Sequence, residues 1–150
     1  MKPFHFRLEV LLEFRKMQKE QSQIAFVQAT NQLTSEKELM TKLEAQLTDS
    51  IASRDMRQQQ FLTIEVFKSF RYYFDKISGD IATQSQRIIQ ADEHRRQCLQ
   101  ALAKAEKDYK IVEKFREKKM QKYQMEAMNE EQKLLDEIGL QIYTREKLGE

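Results

Sequence analysis

A long apolar seam runs through the second half of this 150-residue chain. Its members recur at steps of three and four residues, the spacing that places side chains on one stripe of a coiled-coil helix. They are Phe67, Phe70, Phe74, Ile77, Ile81, Gln84, Ile88, Ala91, Arg95, Cys98, Leu102, Ala105, Tyr109 and Val112. A stripe this narrow cannot build a core around itself. The helix must therefore pack against another helix or another protein.

An earlier seam with the same spacing, here called the first seam, precedes this later or second seam and is more polar. It consists of Leu8, Leu12, Arg15, Lys19, Ser22, Phe26, Ala29, Leu33, Glu36, Met40, Leu43 and Leu47. A buried charge without a partner is costly, so we expect the polar members to lie at the edge of the contact with their heads in water. The pattern fits an imperfect coiled coil, and it also fits a surface that opens for a partner.

Composition favours helix throughout. The chain has three glycines and one proline, and Pro3 stands where a helix can begin. We therefore predict an all-α fold, a long antiparallel two-helix coiled-coil hairpin forming a single domain over residues 1–150. The first helix is expected over about 4–57, the turn over about 58–62 and the second helix over about 63–147.

Two positions compete for the turn. The seam lapses after Ile51, and Thr63 can cap a following helix with its hydroxyl group. A rival turn lies at Ser78-Gly79-Asp80, but the second seam passes it without losing phase. One glycine costs a helix only about 1 kcal/mol relative to alanine. We therefore predict a second helix that continues through Gly79.

The sequence predicts binding rather than catalysis. His5 and His94 are far apart, Cys98 occupies a seam position, and no glycine-rich phosphate loop or Cys/His cluster occurs. We expect no catalytic residue, no cofactor and no metal. A formal charge of +2 does not indicate nucleic acid as a partner.

The lone cysteine excludes an internal disulfide and fits a reducing compartment. No apolar run suits a secretory signal or a membrane span. We therefore expect a cytoplasmic protein that does not insert directly into a membrane.

Two surface features suggest contact with partners. Tyr72 and Tyr73 lie off the seam within an aromatic cluster that extends from Phe61 to Phe74, a pattern that fits a docking surface or simple packing near the turn. Basic residues dominate 107–122 and acidic residues dominate 126–137. Such segregation of charge is typical of a solvated helix face. It also suits electrostatic steering of this protein into a charged binding site on a partner.

Three stretches of the chain together resemble the FliJ family of the bacterial flagellar type III export apparatus. They are FHFRLEVLLEFRK at 4–16, FRYYFDKI at 70–77, and EKFREKK at 113–119 followed by Tyr123, Glu131-Gln132-Lys133 and Asp136-Glu137. The likeness covers essentially the whole chain. It implies a hairpin similar to the gamma-subunit stalk of rotary ATPases.

The resemblance also implies partners. Members of this family insert their terminal helical end into the pore of the hexameric flagellar export ATPase FliI, promote ring assembly, contact the export-gate protein FlhA and bind export chaperones. The chain would act at the cytoplasmic face of the inner membrane beneath the flagellar basal body, and we expect a monomer when it is isolated. The alternatives are an injectisome stalk homologue and a self-associating structural coiled-coil tether.

By position, the resemblance assigns export-gate binding to Tyr73, Ile77, Asp80 and Gln84. It does not assign the ATPase-facing residues one by one. We select them from the basic end of the second helix and the adjoining first turn: Arg7, Arg15, Lys16, Lys110, Lys114, Arg116, Lys118, Lys119 and Lys122.

Overall fold

Two long helices make up most of the chain that the computed structural model describes, residues 2–58 and 63–149. Helix α1 spans Glu9–Gln58, 50 residues, and helix α2 spans Ile64–Leu148, 85 residues. The two helices pack against each other, and the described ranges contain no β-strand. The predicted all-α two-helix hairpin is therefore confirmed.

The chain divides into two compact units, each built from a segment of both helices. Unit 1 comprises Met1–Lys19 and Ala105–Glu150, and unit 2 comprises Glu20–Lys104. The assignment of the whole chain to a single domain stays a prediction.

The helix segments run antiparallel within each unit. In unit 1, Glu9 pairs with Arg116 while the later Arg15 pairs with the earlier Asp108. In unit 2 the same reversal joins the middle of α1 to residues near 84, and the end of α1 to residues near 67 and 74.

The two predicted seams form the contacts within these units. Ala29 and Leu33 of α1 are buried, as are Ile77, Ala105 and Val112 of α2. The other seam members are buried or half-buried, except for Leu8 and Phe67, which are exposed. No described side chain is completely buried, because a contact between two helices leaves one flank of every side chain open.

Three charged residues of the first seam have partners on the opposite helix. Arg15 donates to Asp108 at 2.9 Å, and the Lys19 ammonium lies 4.4 Å from the centre of the Tyr109 ring. Glu36 accepts hydrogen bonds from Gln84. All three residues are half-buried, as expected at the edge of the contact. The sequence did not predict their partners on the opposite helix, which offset the cost of partial desolvation.

Helix α1 begins at Glu9, later than the predicted start near residue 4. Residues 2–8, here called the strap, are not helical and lie against α2 within unit 1. Phe6 is buried with its ring centre 5.9 Å from that of Phe115. The prediction was wrong because burying an aromatic ring contributes about 1.5–3 kcal/mol, more than another helical turn would.

The predicted end of the first helix agrees with the Gln58 terminus of α1. Of the predicted turn at 58–62, residues 59–62 lie outside the described residues. On the far side, the Thr63 hydroxyl accepts a hydrogen bond from the Val66 amide at 3.4 Å. Thr63 therefore caps α2 as predicted.

Helix α2 continues through Gly79. No glycine within the described ranges has a positive φ, so the rival turn at Ser78-Gly79-Asp80 does not form. The unbroken phase of the seam predicted this continuity.

Contacts between the strap and α2 in unit 1 extend as far as Tyr123. The Tyr123 hydroxyl donates to the Lys2 carbonyl at 2.6 Å, and its ring lies 5.5 Å from that of Phe4. Every described residue from 128 to 149 is then exposed. The strap therefore contacts the part of α2 that precedes this exposed segment.

Hydropathy along the two helices stays below that of a membrane span. Within residues 2–58 and 63–149, neither helix contains a stretch apolar enough to cross a bilayer.

Candidate functional site

A row of four lysines follows one face of α2 in unit 1. They stand four residues apart at Lys110, Lys114, Lys118 and Lys122, and all four are exposed. A helix rises 1.5 Å per residue, so successive members are about 6 Å apart along the axis. The row is therefore a line of cationic groups on a stiff helix, open to an anionic partner.

Three other predicted ring-binding residues of unit 1 are also open to solvent. Arg7, Lys16 and Lys119 are exposed. The Lys119 ammonium lies 5.4 Å from the centre of the Phe115 ring, which leaves its charge available to solvent. These residues remain candidates for contact with a partner.

Two predicted ring-binding residues instead hold unit 1 together. Arg15 pairs with Asp108 at 2.9 Å, and Arg116 pairs with Glu9 at 3.1 Å. The Arg116 guanidinium also lies 5.7 Å from the centre of the Phe4 ring. Since both guanidinium groups already have acidic partners, their first role is to join α1 to α2.

A cleft of about 740 Å³ opens where the strap meets α2. Its lining includes Arg7 and Lys2 from the strap, and Lys119, Lys122 and Glu126 from α2. The sequence predicted the basic character of this end but not the cleft, because a helical start at residue 4 would have left no strap.

The predicted gate-binding residues separate into two pairs in unit 2. Tyr73 and Asp80 are exposed, whereas Ile77 is 3% exposed and Gln84 is 4% exposed. Ile77 and Gln84 belong to the contact between the helices, so in this conformation they are not available to a partner. Of the four predicted residues, only Tyr73 and Asp80 present accessible surface.

Tyr73 also lines a cleft of about 630 Å³ between α1 and α2 in unit 2. Across it, α1 contributes only small or polar side chains: Gln46, Asp49, Ser50 and Ser53. Sequence reasoning missed these residues because the first seam was followed only to Leu47. The available signal was Ser50, which continues the seam by three residues and is buried.

Part of the aromatic cluster packs around an arginine. The Arg54 guanidinium lies 5.9 Å from the ring centres of both Phe67 and Phe74, a geometry that permits cation–π attraction. Tyr72, in contrast, is 74% exposed. Simple packing therefore accounts for Phe67 and Phe74, while Tyr72 and Tyr73 keep accessible surface.

Cys98 is a half-buried seam residue with its sulfur 3.7 Å from His94 Nε2. The described part of the chain contains no group of three His, Cys, Asp or Glu side chains able to hold a metal ion.

Comparison with a solved structure agrees with this architecture. The structure of a putative YscO homologue, CT670 from Chlamydia trachomatis, aligns with a TM-score of 0.57 and 15% sequence identity. The alignment covers 99% of this chain and 100% of that one. At this identity the likeness shows a shared fold.

No curated protein matches the chain. The family described as flagellar FliJ protein matches residues 4–148, a range that includes most of the strap, both helices and the lysine row. The chain therefore belongs to the FliJ family and is a component of the flagellar, type III protein-export apparatus.

Proposed function

We propose that this protein is a non-enzymatic central stalk that inserts into the hexameric export ATPase FliI and promotes assembly and activity of its ring. Membership of the FliJ family supports this role. The structural observation that most supports this role is the lysine row at 110, 114, 118 and 122, whose four side chains are exposed on a single helix.

The geometry of the row suits a rod held in a ring. Each exposed ion pair with a partner is worth only roughly 0.2–1 kcal/mol, so no single contact locks the rod in place. Several such contacts in line orient the rod and raise the rate of association. A stalk that binds the assembled ring but not the separate subunits favours assembly by mass action.

Unit 2 supports a second contact, with the export-gate protein FlhA. Tyr73 presents an aromatic ring beside the cleft that α1 lines with Gln46, Asp49 and Ser53. Asp80 lies two helical turns further along α2 and is exposed. We propose Tyr73 and Asp80 as the direct contacts, with Ile77 and Gln84 keeping the supporting helices in register.

Export chaperones are the third class of partner that we propose, on the basis of membership of the FliJ family. All three contacts would occur on the cytoplasmic side of the inner membrane, beneath the flagellar basal body. The isolated protein would be monomeric, since its two seams are already occupied by each other within the two units.

Charge reversal of the lysine row tests the ring contact. We expect the variant with Lys110, Lys114, Lys118 and Lys122 changed to Glu to lose stimulation of the cognate ATPase, measured as phosphate release. Its residual binding should also depend less on salt concentration, because fewer ion pairs remain to be screened. Circular dichroism at 222 nm verifies that the variant is helical.

Four exposed lysines of unit 2 supply a control with the same change in charge. Reversal of Lys37, Lys42, Lys68 and Lys76 should leave ATPase stimulation close to that of the wild type. Equal loss of ATPase stimulation in both variants would show that the effect depends only on net charge. Full stimulation by the first variant would remove the lysine row from the ring contact.

A further inference from the structure

The cleft beside Tyr73 in unit 2 has one wall on each helix. Each wall consists of residues three and four positions apart, a spacing that keeps side chains on one flank of a helix. The wall residues are Gln46, Asp49 and Ser53 on α1, and Val66, Ser69 and Tyr73 on α2. The cleft, about 630 Å³ in volume, is therefore a groove that follows the contact between the helices for about two turns.

A buried polar residue lies at the bottom of this cleft. Ser50 lines the cleft and is only 7% exposed. Its hydroxyl group forms no hydrogen bond with another residue of the described chain. Buried polar groups of proteins normally have a hydrogen-bond partner. The cleft therefore offers a polar group that a ligand atom can satisfy.

Asp49 is the one charged residue among the described residues that line the cleft. It is exposed and forms no ion pair within residues 2–58 and 63–149. A cation three or four residues away on the same helix could pair with it. Those positions hold Ala45, Gln46, Ala52 and Ser53. The Asp49 carboxylate is therefore not neutralised by its own helix.

Other cations of α1 do not replace such a partner. The Arg54 guanidinium lies 5.9 Å from the centres of two phenylalanine rings. Lys42 and Arg57 are about 10–12 Å from Asp49 along the helix axis at 1.5 Å per residue. Exposed charges further apart than about 8 Å are largely screened at physiological salt. The carboxylate therefore remains available to a cation from another protein.

The α2 wall suits the apolar stem of a long cationic side chain. Val66 and Phe70 line the cleft beside Tyr73, whose side chain is 43% exposed. Lys and Arg place an apolar stem against such a surface and keep the charged group at a polar site, and a tyrosine ring attracts a cation. An acidic side chain would be repelled by Asp49, and an apolar one would leave the carboxylate without a partner.

We propose that a Lys or Arg side chain of the export-gate protein FlhA enters this cleft, with its stem against Tyr73 and its charged group bonded to Asp49 and Ser50. Asp49 is then a specificity-determining residue of the gate site, contributed by α1. This inference rests on the proposed contact between FlhA and Tyr73. It adds the second helix and the chemistry of the occupant.

Asp49→Asn tests the charge, because the amide keeps the shape of the side chain. We expect the affinity of the full chain for FlhA, measured by isothermal titration calorimetry, to fall at least about fivefold. Raising the salt concentration should weaken binding less in this variant than in the wild type, since one ion pair fewer is screened. Asp55→Asn makes the same change at an exposed aspartate outside the cleft and should leave the affinity unchanged.

Ser53→Leu tests the space without changing the charge. Ser53 is exposed and lines the cleft, so a larger side chain fills the cleft and should weaken FlhA binding at least about tenfold. Ala52→Leu adds a similar side chain at an adjacent exposed position outside the cleft and should have no effect. Circular dichroism at 222 nm verifies that all variants are helical.

Tyr73→Ala separates failure of this inference from failure of the gate contact. Weaker binding in Tyr73→Ala together with unchanged binding in Asp49→Asn and Ser53→Leu would overturn this inference alone. An effect of Ser53→Leu without an effect of Asp49→Asn would place an uncharged group in the cleft, and the cationic occupant would be wrong. Unchanged binding in Tyr73→Ala, or no binding of FlhA to the wild type, would overturn the gate contact and this inference with it.

Discussion

The side-chain amide of Gln84 donates a hydrogen bond to the main-chain carbonyl of Glu36 at 2.8 Å and another to the Glu36 carboxylate. Gln84 is only 4% exposed, so this pair joins the two helices of unit 2 within the contact between the two seams. A polar pair at a seam position specifies register, because any other alignment would leave the amide buried and unbonded.

Removal of this amide should destabilise the protein. We expect Gln84→Ala to lower the free energy of unfolding by about 1–3 kcal/mol, since the hydrogen bonds are lost and Glu36 is left without its partner. Urea unfolding followed at 222 nm measures the change. Gln90→Ala, at an exposed position of the same helix, should change stability by less than about 0.5 kcal/mol. Equal effects would show that the Gln84 pair contributes nothing specific.

Gly79→Ala should raise stability by up to about 1 kcal/mol, because alanine is the better helix former and loses less conformational freedom on folding. Nothing lies within 4 Å of the added methyl group. The thermal midpoint of unfolding reports the change. Ala82→Gly, at an exposed site nearby, should shift it in the opposite direction. A loss of stability in Gly79→Ala would contradict a straight helix at this position.

Phe6→Ala should release the strap from α2. The ring is buried against Phe115, and loss of a buried Phe costs about 3 kcal/mol or more. Hydrogen exchange should become faster in the strap and in residues 112–123. Phe14→Ala, which removes a ring that is 52% exposed, should leave exchange in those residues nearly unchanged. Exchange that stays slow in Phe6→Ala would show that the strap is held by its other contacts.

Tyr73→Ala should weaken binding to FlhA at least about tenfold, the loss expected for an aromatic anchor at an interface. Isothermal titration calorimetry measures the affinity, and circular dichroism verifies that helicity is unchanged. Tyr72→Ala is the matched control, since it removes an adjacent exposed tyrosine that does not line the cleft. Loss of folding in Tyr73→Ala would identify the residue as part of the core, and unchanged affinity would remove it from the gate site.

The sequence predicts only part of each candidate site. The four-residue spacing of Lys110, Lys114, Lys118 and Lys122 is readable from the sequence once a helix is predicted. The pairing of Arg15 with Asp108 and of Arg116 with Glu9 cannot be read from the sequence, because each pair joins residues about a hundred positions apart. Exposure of Tyr73 and burial of Gln84 likewise depend on the rotation of α2 against α1.

The sequence by itself determined that this protein is a pair of helices. Apolar spacing, the scarcity of glycine and proline, and the cap at Thr63 all act within a few residues along one helix, so they can be evaluated without knowing the partner. Tertiary structure decided the strap, the pairing of Gln84 with Glu36 and the exposure of residues 128–149. Each of these depends on a competition between a local preference and contacts with residues distant in the chain. At Phe6 the distant contact determines the structure, because burial of its ring against Phe115 contributes more than another turn of helix.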